Sequence, residues 1–125
     1  MKLFTIEEAN ELLPTVRQLL QRIQRSRRRV TAFATQAKLA SEGAELGGGG
    51  MSDGPAYASL LTNSTLELAE LDGMGVQLKD FDRGLIDFPS LRDGRVVLLC
   101  WQMGEGDELE WWHDLDSGFA GRTRL

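Results

Sequence analysis

Apolar side chains recur every three or four positions over the first third of the chain. One such row consists of Ala9, Val16, Ile23, Val30 and Ala37. This spacing is typical of an amphipathic helix that buries one face. Residues 5–8, TIEE, have the form of a capping box, in which the threonine and the last glutamate each bond the other's backbone amide. The pattern therefore predicts a helix that starts at Thr5, runs to about Ala40 and is on the order of 50 Å long.

A second, shorter helical pattern follows a glycine-rich segment. Residues 43–54, GAELGGGGMSDG, offer few side chains that could pack, and we interpret them as a flexible linker. Pro55 suits the first turn of a helix, and the apolar period then continues until Gly73. We expect the two helices to form an antiparallel hairpin over residues 5–74. Because the second helix is too short to cover the first, the first must also pack against the sheet or against another subunit.

The apolar period changes from helical to alternating at Val76. Short β-prone runs follow, and the Asp93-Gly94 pair between two of them is typical of a hairpin turn. The run from Val96 to Met103 is apolar on both faces, as expected of a central strand that is covered on both sides. A further strand is expected over residues 108–113. Residues 115–125 contain glycines around a phenylalanine, and we expect them to form an ordered loop that crosses the sheet.

Together these elements predict an α+β fold. A long antiparallel helical hairpin packs on a small, three- to four-stranded antiparallel meander sheet. We expect a single domain over residues 1–125, with the meander and the C-terminal loop in residues 76–125. A chain of 125 residues with 42% hydrophobic content is long enough to bury such a core without disulfides or metal.

Net charge and cysteine content limit the partners and the cellular location that we expect for this protein. The net charge of −5 repels phosphate groups and anionic lipid, so we expect neither nucleic acid nor a membrane as a partner. The arginines between Arg22 and Arg29 are interpreted as a solvated helix face or as partners of the acidic residues in the rest of the chain. The N terminus lacks the pattern of a signal peptide, and the only cysteine, Cys100, cannot form an internal disulfide. We therefore expect a soluble cytoplasmic protein in which Cys100 is a small buried apolar residue.

Five short motifs are distributed along the chain in order. FTIEEANELLP near the N terminus is followed by DRGLIDFP, LCWQMGE, WWHDLD and GFAGR. In these motifs and their order, the chain resembles the prokaryotic family catalogued as domain of unknown function 2203 over nearly its whole length. The resemblance implies a small single-domain prokaryotic protein without an assigned activity. It therefore supplies no catalytic residue.

The stretch from Asp80 to Arg122 holds the side chains best suited to chemistry. His113, with Asp87 and Asp116, could supply nitrogen and oxygen ligands to a divalent metal, or the histidine could serve as a general base. In the alternative interpretation, His113 hydrogen-bonds a carboxylate in the core, and Asp87 pairs with an arginine such as Arg83 or Arg122. The wider set of candidate ligand-binding residues is Asp80, Asp82, Asp87, Trp101, Trp111, His113, Asp116 and Arg122.

Two further residue types shape this region. Trp111 and Trp112 are adjacent in a strand and must point to opposite faces, so one of them should cover a second surface, such as a pocket or a subunit contact. Arg122 is expected to tie the tail to a carboxylate, because a guanidinium group makes two-point contacts.

These observations favour a non-enzymatic assembly or interaction module. It is expected to form a homodimer through the surplus apolar length of the first helix and to need no cofactor. The alternative is a protein that binds a divalent metal or a small molecule, including a hydrolase, through His113 and its neighbouring carboxylates. The sequence identifies neither a small-molecule ligand nor a catalytic residue.

Overall fold

The computed structural model describes residues 1–45 and 54–125 of the chain. Helix α1 spans Ile6–Glu45, and helix α2 spans Gly54–Gly73 and packs against it as the predicted hairpin. The linker predicted over residues 43–54 overlaps both helices, because α1 continues to Glu45 and α2 begins at Gly54. The rest of the predicted linker, residues 46–53, lies outside the described residues. Neither described helix is long and apolar enough to cross a membrane.

The capping box at the start of α1 is present as predicted. The Glu8 amide donates to the Thr5 hydroxyl at 3.0 Å, and the Glu8 carboxylate accepts from the Thr5 amide at 2.9 Å. The backbone and side-chain hydrogen bonds of Thr5 lower the pKa of Glu8. One residue earlier, the amide of Phe4 donates to the Pro89 carbonyl at 2.7 Å, and the Phe4 ring packs edge-on against Phe88. The entry to the helix is therefore bonded directly to the sheet.

The sheet is an antiparallel meander of five strands in the order β1-β2-β3-β4-β5. Its strands are β1, Gln77–Asp80; β2, Leu85–Arg92; β3, Arg95–Gln102; β4, Trp111–His113; and β5, Thr123–Arg124. Strands β2 and β3 pair over their full length and form the centre of the sheet.

The sheet has one strand more than the three or four predicted, and β4 is shorter than expected. The extra strand, β5, lies in the tail that was predicted to be a loop, where it pairs with Trp111 and Trp112. The amide of Leu125 continues this pairing to the Glu110 carbonyl at 2.8 Å. A strand of two residues has no alternating pattern of its own; it forms because the backbone groups at the edge of β4 need partners.

The turn between β2 and β3 sets their register. Asp93 has φ 52° and Gly94 has φ 77°, so both residues adopt the left-handed conformation that a tight two-residue hairpin turn requires. Arg92 therefore faces Arg95, and counting back along both strands places Asp87 opposite Cys100.

The hydrophobic core lies between one face of the sheet and the first half of α1. The buried residues that α1 contributes are Ala9, Leu13, Val16, Leu19, Leu20 and Ile23. They meet Ile86 and Phe88 of β2 and Leu99 and Trp101 of β3. The Asn10 side chain accepts the Leu109 amide at 2.7 Å, so the polar side of the helix is bonded to the sheet end as well.

The second half of the hairpin extends beyond this core. Of the side chains described in α1 after Ile23, none is buried. This outer arm, which we define as residues 24–45 of α1 with residues 54–66 of α2, is held together by contacts between its two helices. Phe33 stacks on Tyr57 with ring centres 5.9 Å apart. At the base of the arm, the Ser26 hydroxyl donates to the Glu67 carboxylate.

The capping box yields a prediction for stability. Thr5→Ala removes the acceptor for the Glu8 amide, so the free energy of unfolding should fall by about 1 kcal/mol in urea denaturation. Thr15→Ala is the matched control, because Thr15 is an exposed threonine inside the same helix, where alanine is the better helix former. A Thr5→Ala protein as stable as Thr15→Ala would contradict the assigned cap.

Candidate functional site

The sheet has a second buried face, on the side away from α1. Along β2, β3 and β4 the side chains that alternate with the helix-side core point to this face, and Leu85, Asp87, Leu98, Cys100 and His113 are all buried there. The tail after β4 lies over it, since the Arg122 side chain contacts Cys100. Three residues with polar or reactive side chains are thus enclosed between the sheet and the C-terminal segment.

Asp87 and His113 form a buried pair across these strands. The Oδ1 atom of Asp87 lies 3.0 Å from Nε2 of His113, and the two side chains are only 1% and 5% exposed. On the other side of the imidazole ring, Nδ1 lies 2.8 Å from the carbonyl oxygen of Asp114. Because a carbonyl oxygen can only accept, Nδ1 carries a hydrogen and Nε2 faces the carboxyl. One proton lies between Asp87 and His113, and the pair has no net charge.

Burial raises the pKa of the Asp87 carboxyl, and the attraction and hydrogen bond of His113 act in the opposite direction. Cys100 lies beside the same carboxyl. Burial and the proximity of Asp87 raise the pKa of the Cys100 thiol to about 12, although Arg122 acts against this shift. The thiol is therefore protonated at neutral pH and is a poor nucleophile.

Arg122 fastens the tail over this face. Its guanidinium group donates to both carboxylate oxygens of Glu105, at 3.0 and 2.8 Å, and lies 3.9 Å from the Cys100 sulfur. The same group lies over the ring of Trp111 at 4.7 Å and over the ring of Phe119 at 4.1 Å. Arg122 therefore combines a two-point ion pair with stacking, which lysine cannot reproduce.

The residues predicted from sequence are only partly brought together. Asp87, His113, Trp111 and Arg122 converge on the second face, and Trp111 and Trp112 lie on opposite sides of the sheet. Asp80 accepts the Arg83 amide in the β1–β2 turn, Asp82 is exposed near Arg27, Asp116 is exposed in the tail, and Trp101 is buried on the helix side. Of the metal ligands expected from sequence, the structure brings Asp87 and His113 together and leaves Asp116 apart.

Two residues of the candidate site were missed. Cys100 was interpreted only as a small apolar residue, and Glu105 was not considered as the carboxylate that binds Arg122. The sequence did contain a signal for Cys100. A two-residue turn at Asp93-Gly94 pairs residue 92 with residue 95, and counting outward from that pair places Cys100 opposite Asp87. No comparable signal exists for Glu105, whose approach to Arg122 depends on the course of the tail.

This arrangement of side chains is better suited to binding a ligand than to nucleophilic attack on a substrate. Cys100 is protonated, and the imidazole of His113 is held on both sides, by Asp87 and by the Asp114 carbonyl. Among the residues that the structure describes, Asp87, Cys100 and His113 are the group whose donor atoms could hold a metal ion, all lying within 4.8 Å of one another.

The contacts of Arg122 predict how the tail responds to substitution. Arg122→Lys should raise the amide-exchange rates of residues 114–125 by about tenfold, nearly as much as Arg122→Ala, because charge-assisted hydrogen bonds of this kind contribute about 1.5–3 kcal/mol. Arg124→Lys serves as the control, since Arg124 is an exposed residue next to the same strand end. Wild-type exchange rates in Arg122→Lys would show that charge alone holds the tail.

The raised pKa of Cys100 predicts its reactivity. In metal-free folded protein at pH 8, iodoacetamide should modify Cys100 at least about 100-fold more slowly than in urea-unfolded protein, because the unfolded thiol titrates near pH ~8.5. Because the folded pKa is the higher one, the stability that the protonated thiol confers is complete below the unfolded pKa and is lost as pH rises toward about 12. Mass spectrometry of timed samples measures the rate, and equal rates in both states would contradict a buried, protonated thiol.

Comparison with known proteins adds family membership but no activity. A search of curated proteins gives no match, and a search of solved structures gives none either. A family model described as "Uncharacterized conserved protein (DUF2203)" matches residues 2–125. The resemblance seen in the five sequence motifs is thereby confirmed, and the chain belongs to the DUF2203 family.

Proposed function

We propose that this protein is a non-enzymatic assembly module that forms a homodimer through the outer arm of its helical hairpin. One observation carries the proposal: apolar residues continue along α1 for about five turns beyond Ile23, yet none of the described side chains there is buried. On α2, Leu61 and Leu66 are 42% and 62% exposed, and Leu39 near the end of α1 is 62% exposed. Helix pairs of this kind gain most of their stability by burying such surface.

The outer arm offers a groove suited to another helix. The groove has a volume of about 470 Å³ and runs between α1 and α2. Each helix lines it with four residues at helical spacing: Arg29, Ala32, Phe33 and Gln36 from α1, and Ala56, Ser59, Leu60 and Asn63 from α2. Small side chains beside larger apolar ones allow the close approach found in helix bundles. Two such hairpins facing each other would form a four-helix bundle around a twofold axis.

The distribution of charge favours a second copy of this chain as the occupant. In the outer arm, the basic residues Arg25, Arg27, Arg28, Arg29 and Lys38 outnumber Glu42 and Glu45. The whole chain has a net charge of −5, so the rest of the molecule is strongly acidic. When two arms pack antiparallel, the basic residues 25–29 of each copy lie toward the end of the partner's α1, which carries Glu42, and this adds attraction to the apolar contact. The single buried, unpaired Cys100 supports a cytoplasmic setting for this module.

The proposal predicts association in the micromolar range. Multi-angle light scattering of the purified protein should give the mass of a dimer. Ala32→Asp places a carboxylate in the groove without removing a contact inside the hairpin, so the dimer dissociation constant should rise by at least about tenfold.

Ala34→Asp is the matched control. It introduces the same charge at an exposed alanine of the same helix, about 200° around its axis from Ala32, and it should leave the dissociation constant within about threefold. A wild-type protein that stays monomeric up to about 100 μM, far above the micromolar range of ordinary specific contacts, would overturn the proposed function. Equal effects of the two variants would show that the groove is not the contact.

A further inference from the structure

We propose that Asp87, Cys100 and His113 form a mononuclear site for a borderline divalent metal ion, with zinc as the preferred occupant. The three residues lie on three neighbouring strands, β2, β3 and β4, in the well-paired centre of the sheet. Their oxygen, sulfur and nitrogen donor atoms all lie within 4.8 Å of one another, and all three residues are buried. This is a different site from the outer arm, and it does not depend on the proposed dimer.

The spacing of the donors fits a tetrahedral ion after a small movement. Two ligands about 2.1 Å from a tetrahedral zinc ion are about 3.4 Å apart. The Nε2 atom of His113 and the Oδ1 atom of Asp87 are 3.0 Å apart, so they need to separate by only a few tenths of an ångström. Side-chain rotation suffices for a shift of that size. The Cys100 sulfur lies within 4.8 Å of both atoms, and a zinc-bound sulfur lies about 3.6 Å from its neighbouring donors, so it has to approach them by at most about 1.2 Å.

Two of the three donors already have the outer hydrogen bonds that metal ligands require. Nδ1 of His113 donates to the Asp114 carbonyl at 2.8 Å, which directs Nε2 toward Asp87, where a bound ion would take the place of the shared proton. The guanidinium of Arg122 lies 3.9 Å from the Cys100 sulfur, where it can donate to a metal-bound thiolate. Arg122 is itself neutralised by Glu105, so it brings no net charge to the site.

Charge and donor type select the ion. A carboxylate and a thiolate together neutralise a divalent cation, so the buried site stays uncharged when it is filled. Sulfur and imidazole donors favour zinc over magnesium or calcium, which prefer oxygen ligands. Three protein donors leave the fourth position of a tetrahedral zinc ion for water or another small ligand. The ion has to displace two protons, the one shared by Asp87 and His113 and the one on the Cys100 thiol, so its charge of +2 replaces two positive charges and metal affinity rises with pH.

Elemental analysis and cobalt spectroscopy test the proposal. Protein purified without an affinity tag and stripped with a chelator should take up one equivalent of zinc in calorimetric titration. Cobalt(II), used as a probe in place of zinc, should produce a thiolate-to-cobalt charge-transfer absorption, which reports the Cys100 sulfur directly. Absence of zinc uptake by the wild-type protein, or cobalt uptake without the charge-transfer band, would overturn the proposal.

Variants separate this site from surface carboxylates. Cys100→Ser and His113→Gln should each weaken zinc binding by about 100-fold or more. Loss of a ligand should cost more than loss of a hydrogen bond to a ligand, which typically weakens binding by about 10–100-fold. Asp116→Asn should bind zinc like the wild type, because Asp116 is an exposed carboxylate of the same segment. Circular dichroism checks the fold of each variant. If a buried substitution prevents folding, the cobalt band of the wild-type protein still decides the question, and unchanged zinc affinity in folded His113→Gln would overturn the proposal.

Discussion

The ion pair between Arg122 and Glu105 closes the face of the sheet that the helices leave uncovered. Strands β2 and β3 are buried on both sides, but the hairpin covers only one of them. The other side depends on a short tail that contains few apolar residues. Arg122 compensates for this by stacking on two aromatic rings while both of its terminal nitrogens bind one carboxylate. Together with the β4–β5 pairing, that contact holds the tail over the face that contains Asp87, Cys100 and His113.

Closure of this face also determines the chemistry of the three residues beneath it. Burial favours uncharged groups, and each of the observed arrangements satisfies that demand. Asp87 and His113 share a proton, the Cys100 thiol keeps its proton, and Arg122 is matched by Glu105. A dication bound by a carboxylate and a thiolate satisfies the same demand. The hydrogen-bonded core and the proposed metal site are therefore two uncharged states of one set of side chains.

Much of the fold could be predicted because its signals are local. The helical period, the Thr5 capping box and the Asp93-Gly94 turn each act within a few residues, and each is found where it was expected. The number of strands was underestimated because β5 forms through backbone hydrogen bonds and has no pattern of side chains. The candidate site could be predicted only in part. Asp87 and His113 were recognised because an acid and a base stand out in apolar runs. Glu105 was not recognised, because only the path of the tail brings Arg122 to it.

The type of turn between β2 and β3 has a consequence for how this chain can change in length. Residues of β3 alternate between the two faces, so a single residue inserted between Arg95 and Cys100 would bring Leu99 to the position opposite Asp87 and carry the thiol to the helix side. The buried carboxyl would then face methyl groups, and Arg122 would lose its sulfur contact. Insertions or deletions within this strand are therefore tolerable only in steps of two residues. Whether the number of residues between Asp87 and Cys100 is odd or even is as much a property of the site as the identity of the residues.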